Sequence, residues 1–274
     1  FESASRKVGS LTVNIIRLGL AFLFIGVYTL IARGHFLPVD ASAHNWIWLG
    51  LSGIVGLVLG DYYLFRSYPL IGSRFSMLIM TLAPPLAAIF GYFILGESLN
   101  IMQMTGMIIV IFGISLAIFK KPVRGERLSI KIAPAGLLFA FIGAIGQGLG
   151  IVLSKYGMND YNAFASTQIR IIAGIAGFSI IITLLRRWGN VATALKSSHA
   201  MKPLLLGAFF GPFLGISFSL LAVKHTQAGI ASTIMAIVPV LILAPSAWIY
   251  KEKITPVEIA GAIISVAGVA FFFI

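Results

Sequence analysis

Residues 76–113 read SMLIMTLAPPLAAIFGYFILGESLNIMQMTGMIIVIFG, and residues 231–268 read ASTIMAIVPVLILAPSAWIYKEKITPVEIAGAIISVAG. Laid over each other at a shift of 155 with no gap, Ile79-Met80 meets Ile234-Met235, Pro84 meets Pro239 and Glu97 meets Glu252. Gly106 and Gly113 meet Gly261 and Gly268 in the same register. Leu and Ile matches are cheap in an apolar chain. An aligned proline, a glutamate and two glycines are not, and they mark an internal duplication.

The chain around these stretches has 274 residues, 59% hydrophobic and 10% charged, with a mean hydropathy of +1.00. A soluble domain carries about 25% charged residues, so the composition is that of an integral membrane protein. The apolar segments are near the length that crosses roughly 30 Å of hydrocarbon as helix, too long for barrel strands. Nine spans are predicted, at about 10–32, 46–65, 73–95, 101–119, 132–154, 163–185, 203–223, 227–250 and 256–274. Longer connections are expected at 33–45, 120–131 and 186–202.

With a small gap the duplication reaches further back, because Arg17 aligns with Arg170 and Arg33 with Arg186 at a shift of 153. Spans one to four then match spans six to nine, and 132–154 has no partner. The expectation is a five-plus-five protein whose first helix is absent ahead of Phe1, the rival reading being a true nine-span chain. The partition is a first repeat at 1–119, a basic linker at 120–131 and a second repeat at 132–274. Twins five spans apart cross the bilayer in opposite directions, which predicts inverted repeats around a central cavity. Sorting Lys and Arg by loop face places fifteen on the N-terminal side and three on the other. The basic side is therefore expected to be cytoplasmic, and the net charge of +12 reports topology rather than nucleic-acid binding.

Several residues have a reading of their own. Thr255-Pro256-Val257-Glu258 is a capping box with proline at the first helical position, and Asn100 to Gln103 repeats it. Glu97 and Glu252 precede these caps as turn-holding residues or, alternatively, as proton or substrate carboxylates. Glycines seven apart share one helix face and let another backbone approach, so the last helix of each repeat is read as a seam between halves or protomers. Pro84-Pro85 and Pro239, with Pro245 beyond, fall inside spans and free carbonyls there. Matched breaks point to a central site, a packing kink being the plain alternative.

Arg17 and Arg170 lie about seven residues into their spans, roughly 10 Å deep at 1.5 Å per residue. A buried arginine costs several kcal/mol unless paired or hydrated. A substrate carboxylate can supply the partner, and snorkelling toward the interface is the alternative. Asn14, Thr167 and Gln168 lie near them in sequence. Asp61, in Gly60-Asp61-Tyr62-Tyr63, is a candidate coupling residue, or else a partner of Arg66; its twin position is Ile216. Gln147 suits a cavity wall or a bridge between helices. The chain has no cysteine, and its four histidines lack metal-ligand spacing, so neither metal nor cofactor is expected.

The ordered series resembles the drug/metabolite transporter superfamily, specifically the ten-helix EamA-type carriers. It comprises Ile16-Arg17, Gly60-Asp61-Tyr62, Ile71-Gly72-Ser73-Arg74, Pro84, Leu95-Gly96-Glu97 and Gly106 with Gly113, repeated as Arg170, Ala228-Gly229, Pro239, Lys251-Glu252 and Gly261 with Gly268. The resemblance implies two five-helix repeats and alternating access, in proteins that export amino acids, other metabolites or drugs. The expected function is secondary transport, as an exporter of a small metabolite such as an amino acid, in a bacterial inner membrane. The alternative is a membrane-embedded enzyme or receptor on a transporter-like scaffold. The expected lining is Asn14, Arg17, Tyr62, Pro84, Gln147, Gln168, Arg170 and Pro239. The expected partners are a small-molecule substrate and the lipid bilayer, with monomer and homodimer both open.

Overall fold

The computed structural model describes residues 10–118, 133–196, 198–241 and 255–273. The linker 120–131, Pro245 and the Lys251-Glu252-Lys253 turn lie outside them. All regular structure among the described residues is helical: α1 (Ser10–Arg33), α2 (Ala43–Ser52), α3 (Asp61–Ile71), α4 (Ser73–Met80), α5 (Ala83–Leu95), α6 (Ile101–Ile118), α7 (Pro134–Met158), α8 (Ala163–Leu184), α9 (Trp188–Lys196), α10 (Ser198–Ala208), α11 (Ile216–His225), α12 (Ala228–Met235), α13 (Val238–Leu241) and α14 (Pro256–Ala270). A π-helical segment, Gly53–Gly60, joins α2 to α3, and a second, Phe209–Gly215, joins α10 to α11. Six helical stretches are long and apolar enough to cross a membrane, and α6 and α14 supply shorter apolar helices.

The sequence reading differs from this in three places. The span expected at 46–65 continues to Ile71, and Gly72, at φ +80° and three residues after Pro69, ends it. The connection expected at 186–202 holds α9, which buries Val191 and Ala194; its Trp188 Nε1 donates to Thr183 Oγ1 at 2.9 Å. Pro84, Pro85 and Pro239 do not kink helix interiors. Helix α4 ends at Met80, and Pro84-Pro85 open α5 after a break at Thr81-Leu82. Helix α12 ends at Met235, and Pro239 opens α13 after the same break at Ala236-Ile237. Proline is tolerated in a first turn because the N–H it lacks has no helical acceptor there.

The chain divides into two compact units that interleave in sequence: Phe1–Tyr62 with Gly150–His225, and Tyr63–Leu149 with Thr226–Ile274. In the first unit α1 packs on α8, its repeat twin. Gly174 of α8 faces the Leu18 and Leu57 side chains, while Gln168, near the start of α8, reaches Phe36 beyond the end of α1. The twins therefore run antiparallel. Leu18, Ile25, Ile171, Phe178 and Ile182 form the core of this unit. In lipid, packing rather than escape from water holds helices together, so small residues mark the closest approaches. A Cβ on Gly53 would fall 2.5 Å from the Arg170 carbonyl oxygen, and one on Gly150 would fall 2.7 Å from Gly56 Cα.

The second unit is built on the twins α6 and α14, and on opposite halves of a second pair of twin spans, α5 and α12. Helix α14 packs on α6, and α12 on α5. A Cβ on Gly113 would lie 2.4 Å from Ser265 N, and one on Gly261 would lie 2.5 Å from Ala117 N. Gly268 meets Val110 N at 2.8 Å, and Gly106 meets Gly268 O at 2.9 Å. Rising numbers on α6 meet falling numbers on α14, so this pair is antiparallel too. Ala88 faces Gly229 and Gly91 faces Ala228, with the same result for α5 and α12. The glycine-bearing helices are thus a seam between the two repeats inside one chain. Both capping boxes form: Thr255 N donates to Glu258 Oε2 at 2.6 Å, and Gln103 N to Asn100 Oδ1 at 2.7 Å.

Candidate functional site

The first half of α8 is wholly enclosed by the first unit. Every residue from Ala163 to Ile171 is buried, including Ser166, Thr167, Gln168 and Arg170. Asn162 caps the helix by accepting from Phe164 N and Ala165 N at 3.0 and 3.1 Å. Thr167 Oγ1 donates to the Ala163 carbonyl, and Gln168 Nε2 donates to Phe36 O at 2.7 Å. Ser166 Oγ, Gln168 Oε1 and Arg170 Nε remain buried with no hydrogen-bond partner. A buried polar atom left so costs about 1–3 kcal/mol, more when charged. Arg170 is 5% exposed.

Asp61 follows the first π-helical segment and forms an ion pair with Arg17 of α1. The two are 44 residues apart. The Asp61 charge also acts on Arg170. The Arg170 backbone lies beside Gly53, eight residues before Asp61, so the arginine and the acid start on levels roughly 10 Å apart along the helix. Asp61 is the one acidic residue in the membrane-crossing parts of this unit. Arg66, the partner expected for it, has its guanidinium over the Phe139 ring at 5.1 Å.

Of the expected lining, Asn14, Arg17, Tyr62, Gln168 and Arg170 belong to the first unit. Asn14 is 1% exposed, and neither amide atom has a partner. Tyr62 packs against the core of that unit. Pro84, Gln147 and Pro239 belong to the second unit. Pro84 is buried, and beside it a Cβ on Gly148 would fall 2.9 Å from Ala83 O. Glu97 is a turn-holder: its Oε2 accepts from Ala228 N at 2.7 Å, the first N–H of α12, where a carboxylate also meets the positive helix end.

A second polar cluster closes one end of the first unit. Arg33 pairs with Asp40 and donates to Tyr161 Oη at 3.3 Å; Tyr161 in turn donates to Asp40 Oδ1 at 2.8 Å. Burial alone would push the Asp40 carboxyl up, but the Tyr161 hydroxyl and the Arg33 guanidinium outweigh it and hold the carboxyl below its ordinary range. Burial pushes the Tyr161 hydroxyl up, and its contact with Asp40 adds to this against the opposing Arg33 charge. Lys224 Nζ donates to Asp160 O at 2.7 Å, and Asn45 Nδ2 to Gly157 O at 2.7 Å. Loops 33–45 and 155–162 and the end of α11 therefore meet at one end, as alternating spans require. An open depression of about 410 Å³ lies there between Ser42–Asn45 and Met158–Tyr161.

Sequence reasoning missed Ser166, Ser217 and the π-helical segments. A signal for the segments was present. Gly56, Leu59 and Gly60 align with Gly211, Leu214 and Gly215 at the same shift of 155, and each segment ends on the second glycine of its set. π-Helical turns concentrate at functional positions, and the first delivers Asp61.

Antiparallel repeat twins in a helical membrane protein, with charge buried in one twin seam, define the class of repeat-built carriers. The chain belongs to the EamA-like transporter family, which matches residues 1–119 and 134–274. It is 25% identical over 179 residues to an uncharacterized transporter of Clostridium kluyveri, a match covering 65% of this chain and 56% of that relative. The chain thus spans little over half the length of that curated relative. A crystal structure shares the fold with a TM-score of 0.73 at 16% identity, covering 98% of this chain and 91% of that one.

Proposed function

We propose that this protein is a secondary transporter that moves a small metabolite across a bacterial inner membrane by alternating access, in the direction of export, with an amino acid as the type of cargo. Family membership and the transporter relative support the carrier reading. The observation that carries it to a site is an arginine at matched depth in each of two antiparallel twins, both within apolar spans. Charge in a span is expensive and marks a solute or ion path more often than a structural need. Asp61, paired with Arg17, is the coupling candidate: protonating it would release the Arg17 guanidinium, and this links proton binding to the state of the seam.

The experiment is counterflow in proteoliposomes with a radiolabelled panel of amino acids, other carboxylates, amines and neutral metabolites. Saturable exchange of one solute class is expected, with loss of at least ten-fold in Arg17→Ala and Arg170→Ala variants that insert normally. Exchange of no solute overturns the carrier reading, and variants that transport as well as the parent overturn the assignment of its site to these two arginines.

A further inference from the structure

The two arginines that the repeat makes equivalent are not equivalent in the fold. Arg17 has the Asp61 carboxylate. The position that would offer a carboxylate to Arg170 by the same repeat is Ile216, which cannot. The membrane-crossing parts of the first unit therefore hold two guanidinium charges, Arg170 buried and Arg17 partly so, against one carboxylate, an excess of one positive charge. Around Arg170 the unsatisfied groups include donors that can bind an anion, alongside one acceptor, the Gln168 amide oxygen. Ser166 is one helical turn before Arg170 and so on its face, and its hydroxyl is buried without a partner. Ser217, 0% exposed and also unpartnered, is on α11, which packs against α8. Its level follows from the end of the unit where Lys224 binds the Asp160 carbonyl. Ser217 lies eight residues before His225 and Arg170 eight residues after Asn162, so both sit about 12 Å in from that end.

We propose that Arg170, with the Ser166 and Ser217 hydroxyls, is the seat for one singly charged anionic group, a carboxylate or a halide, and that Asp61 sets the valence of that seat at one by occupying Arg17. The proposal rests on the carrier reading only in taking this seat as the place where cargo or a co-transported ion binds. A guanidinium Nε–H and two hydroxyls can each donate a hydrogen bond to an anion. A dianion would have to compete with Asp61 for Arg17.

The test uses the full chain purified in detergent, with melting temperature read against acetate, benzoate and chloride as monoanions and succinate and sulfate as dianions, at constant ionic strength. A ligand that binds only the folded state raises the melting temperature saturably. Saturable shifts are expected with a monoanion and at least ten-fold weaker apparent affinity for either dianion. A shift by acetate or benzoate identifies a carboxylate seat, and one by chloride alone a halide seat. Arg170→Met should abolish the shift and Arg170→Lys weaken it about ten-fold. Asp61→Asn should improve succinate relative to acetate at least ten-fold. Ser217→Ala, which removes no charge, should weaken the monoanion several-fold without altering the ligand-free melting temperature, and it serves if Asp61→Asn does not fold. A monoanion shift that survives Arg170→Met, or dianions binding as well as monoanions, overturns the seat. Counterflow measured in parallel separates the two claims. Anion binding without exchange of any solute keeps the seat and removes the carrier, whereas exchange that Arg170→Met leaves unchanged keeps the carrier and removes the seat.

Discussion

In one unit, the twins α1 and α8 meet through Leu18 and Gly174 with an arginine on each helix, Arg170 buried and Arg17 partly so. In the other, the twins α6 and α14 meet through Gly106, Gly113, Gly261 and Gly268, with backbone atoms where side chains would be. Both seams descend from the same duplication and both are antiparallel. The glycine seam gains attraction from close backbone packing, which needs no polar group and has no reason to change. The arginine seam keeps charge in a setting where charge is costly, and nothing in the packing requires it.

That contrast can be broken by substitution, most severely in the glycine seam. Gly113→Val places a branched side chain against the Ser265 backbone nitrogen, 2.4 Å from where its Cβ must go, and neither helix can yield without the other. A loss of about 4 kcal/mol is expected, measured as failure to recover folded protein or as a collapse of the melting temperature in detergent. Gly174→Ala in the arginine seam meets only the end of a Leu18 side chain at 3.0 Å, and under 1 kcal/mol is expected.

The arginine seam sharpens the contrast from the other side. Arg17→Met strands the Asp61 charge, and breaking a buried pair costs about 3 kcal/mol. Arg170→Met removes a charge that has no carboxylate of its own, so the ligand-free melting temperature should hold or rise. Equal destabilisation by the two substitutions would show that the arginines are structural equals and remove the basis of the comparison.

Smaller effects belong to the helix ends. Glu97→Gln weakens the acceptor at the start of α12 and should cost about 1 kcal/mol; Thr255→Ala, which removes half of a capping box, should cost about the same. The smallest effect is one of pH. The Asp40 carboxyl is held low in the folded protein, so its contribution is complete above its unfolded value of about 3.9 and is lost as pH falls through the lower folded one. The Tyr161 hydroxyl is held high, so its contribution is complete below about 10 and lost as pH rises through the higher folded value. A melting-temperature profile flat from pH 5 to 9, falling by a few degrees toward pH 3, is expected, and Asp40→Asn should remove most of the acid limb.

The duplicated elements were legible because they rest on residues with few uses in a span. Proline, glycine and arginine at matched positions located the breaks at Thr81 and Ala236, the glycine seam and the two buried charges. The inverted relation followed from an odd number of spans. What stayed hidden had no local signature. The Arg17–Asp61 pair joins residues 44 apart on different helices, and Asp61 offered a nearer candidate in Arg66. Ser166 and Ser217 look like any serines in membrane helices, where most are satisfied by a carbonyl one turn back, as Thr167 and Thr233 are. The α9 helix was obscured by polar composition, although its apolar residues recur at helical spacing.

The first π-helical segment carries one more consequence. A π turn adds a residue without adding a turn, and each residue in an α-helix advances the direction of the next side chain by about 100°. The compass bearing of Asp61 is therefore written in the eight residues Gly53–Gly60 before it. Rewinding those same eight residues as ordinary α-helix would swing the carboxylate about a quarter turn away from Arg17, whereas deleting one residue along with the rewinding would leave its bearing nearly unchanged. The winding of that glycine-rich stretch thus acts as an angular setting for the one acid in its unit's described membrane spans.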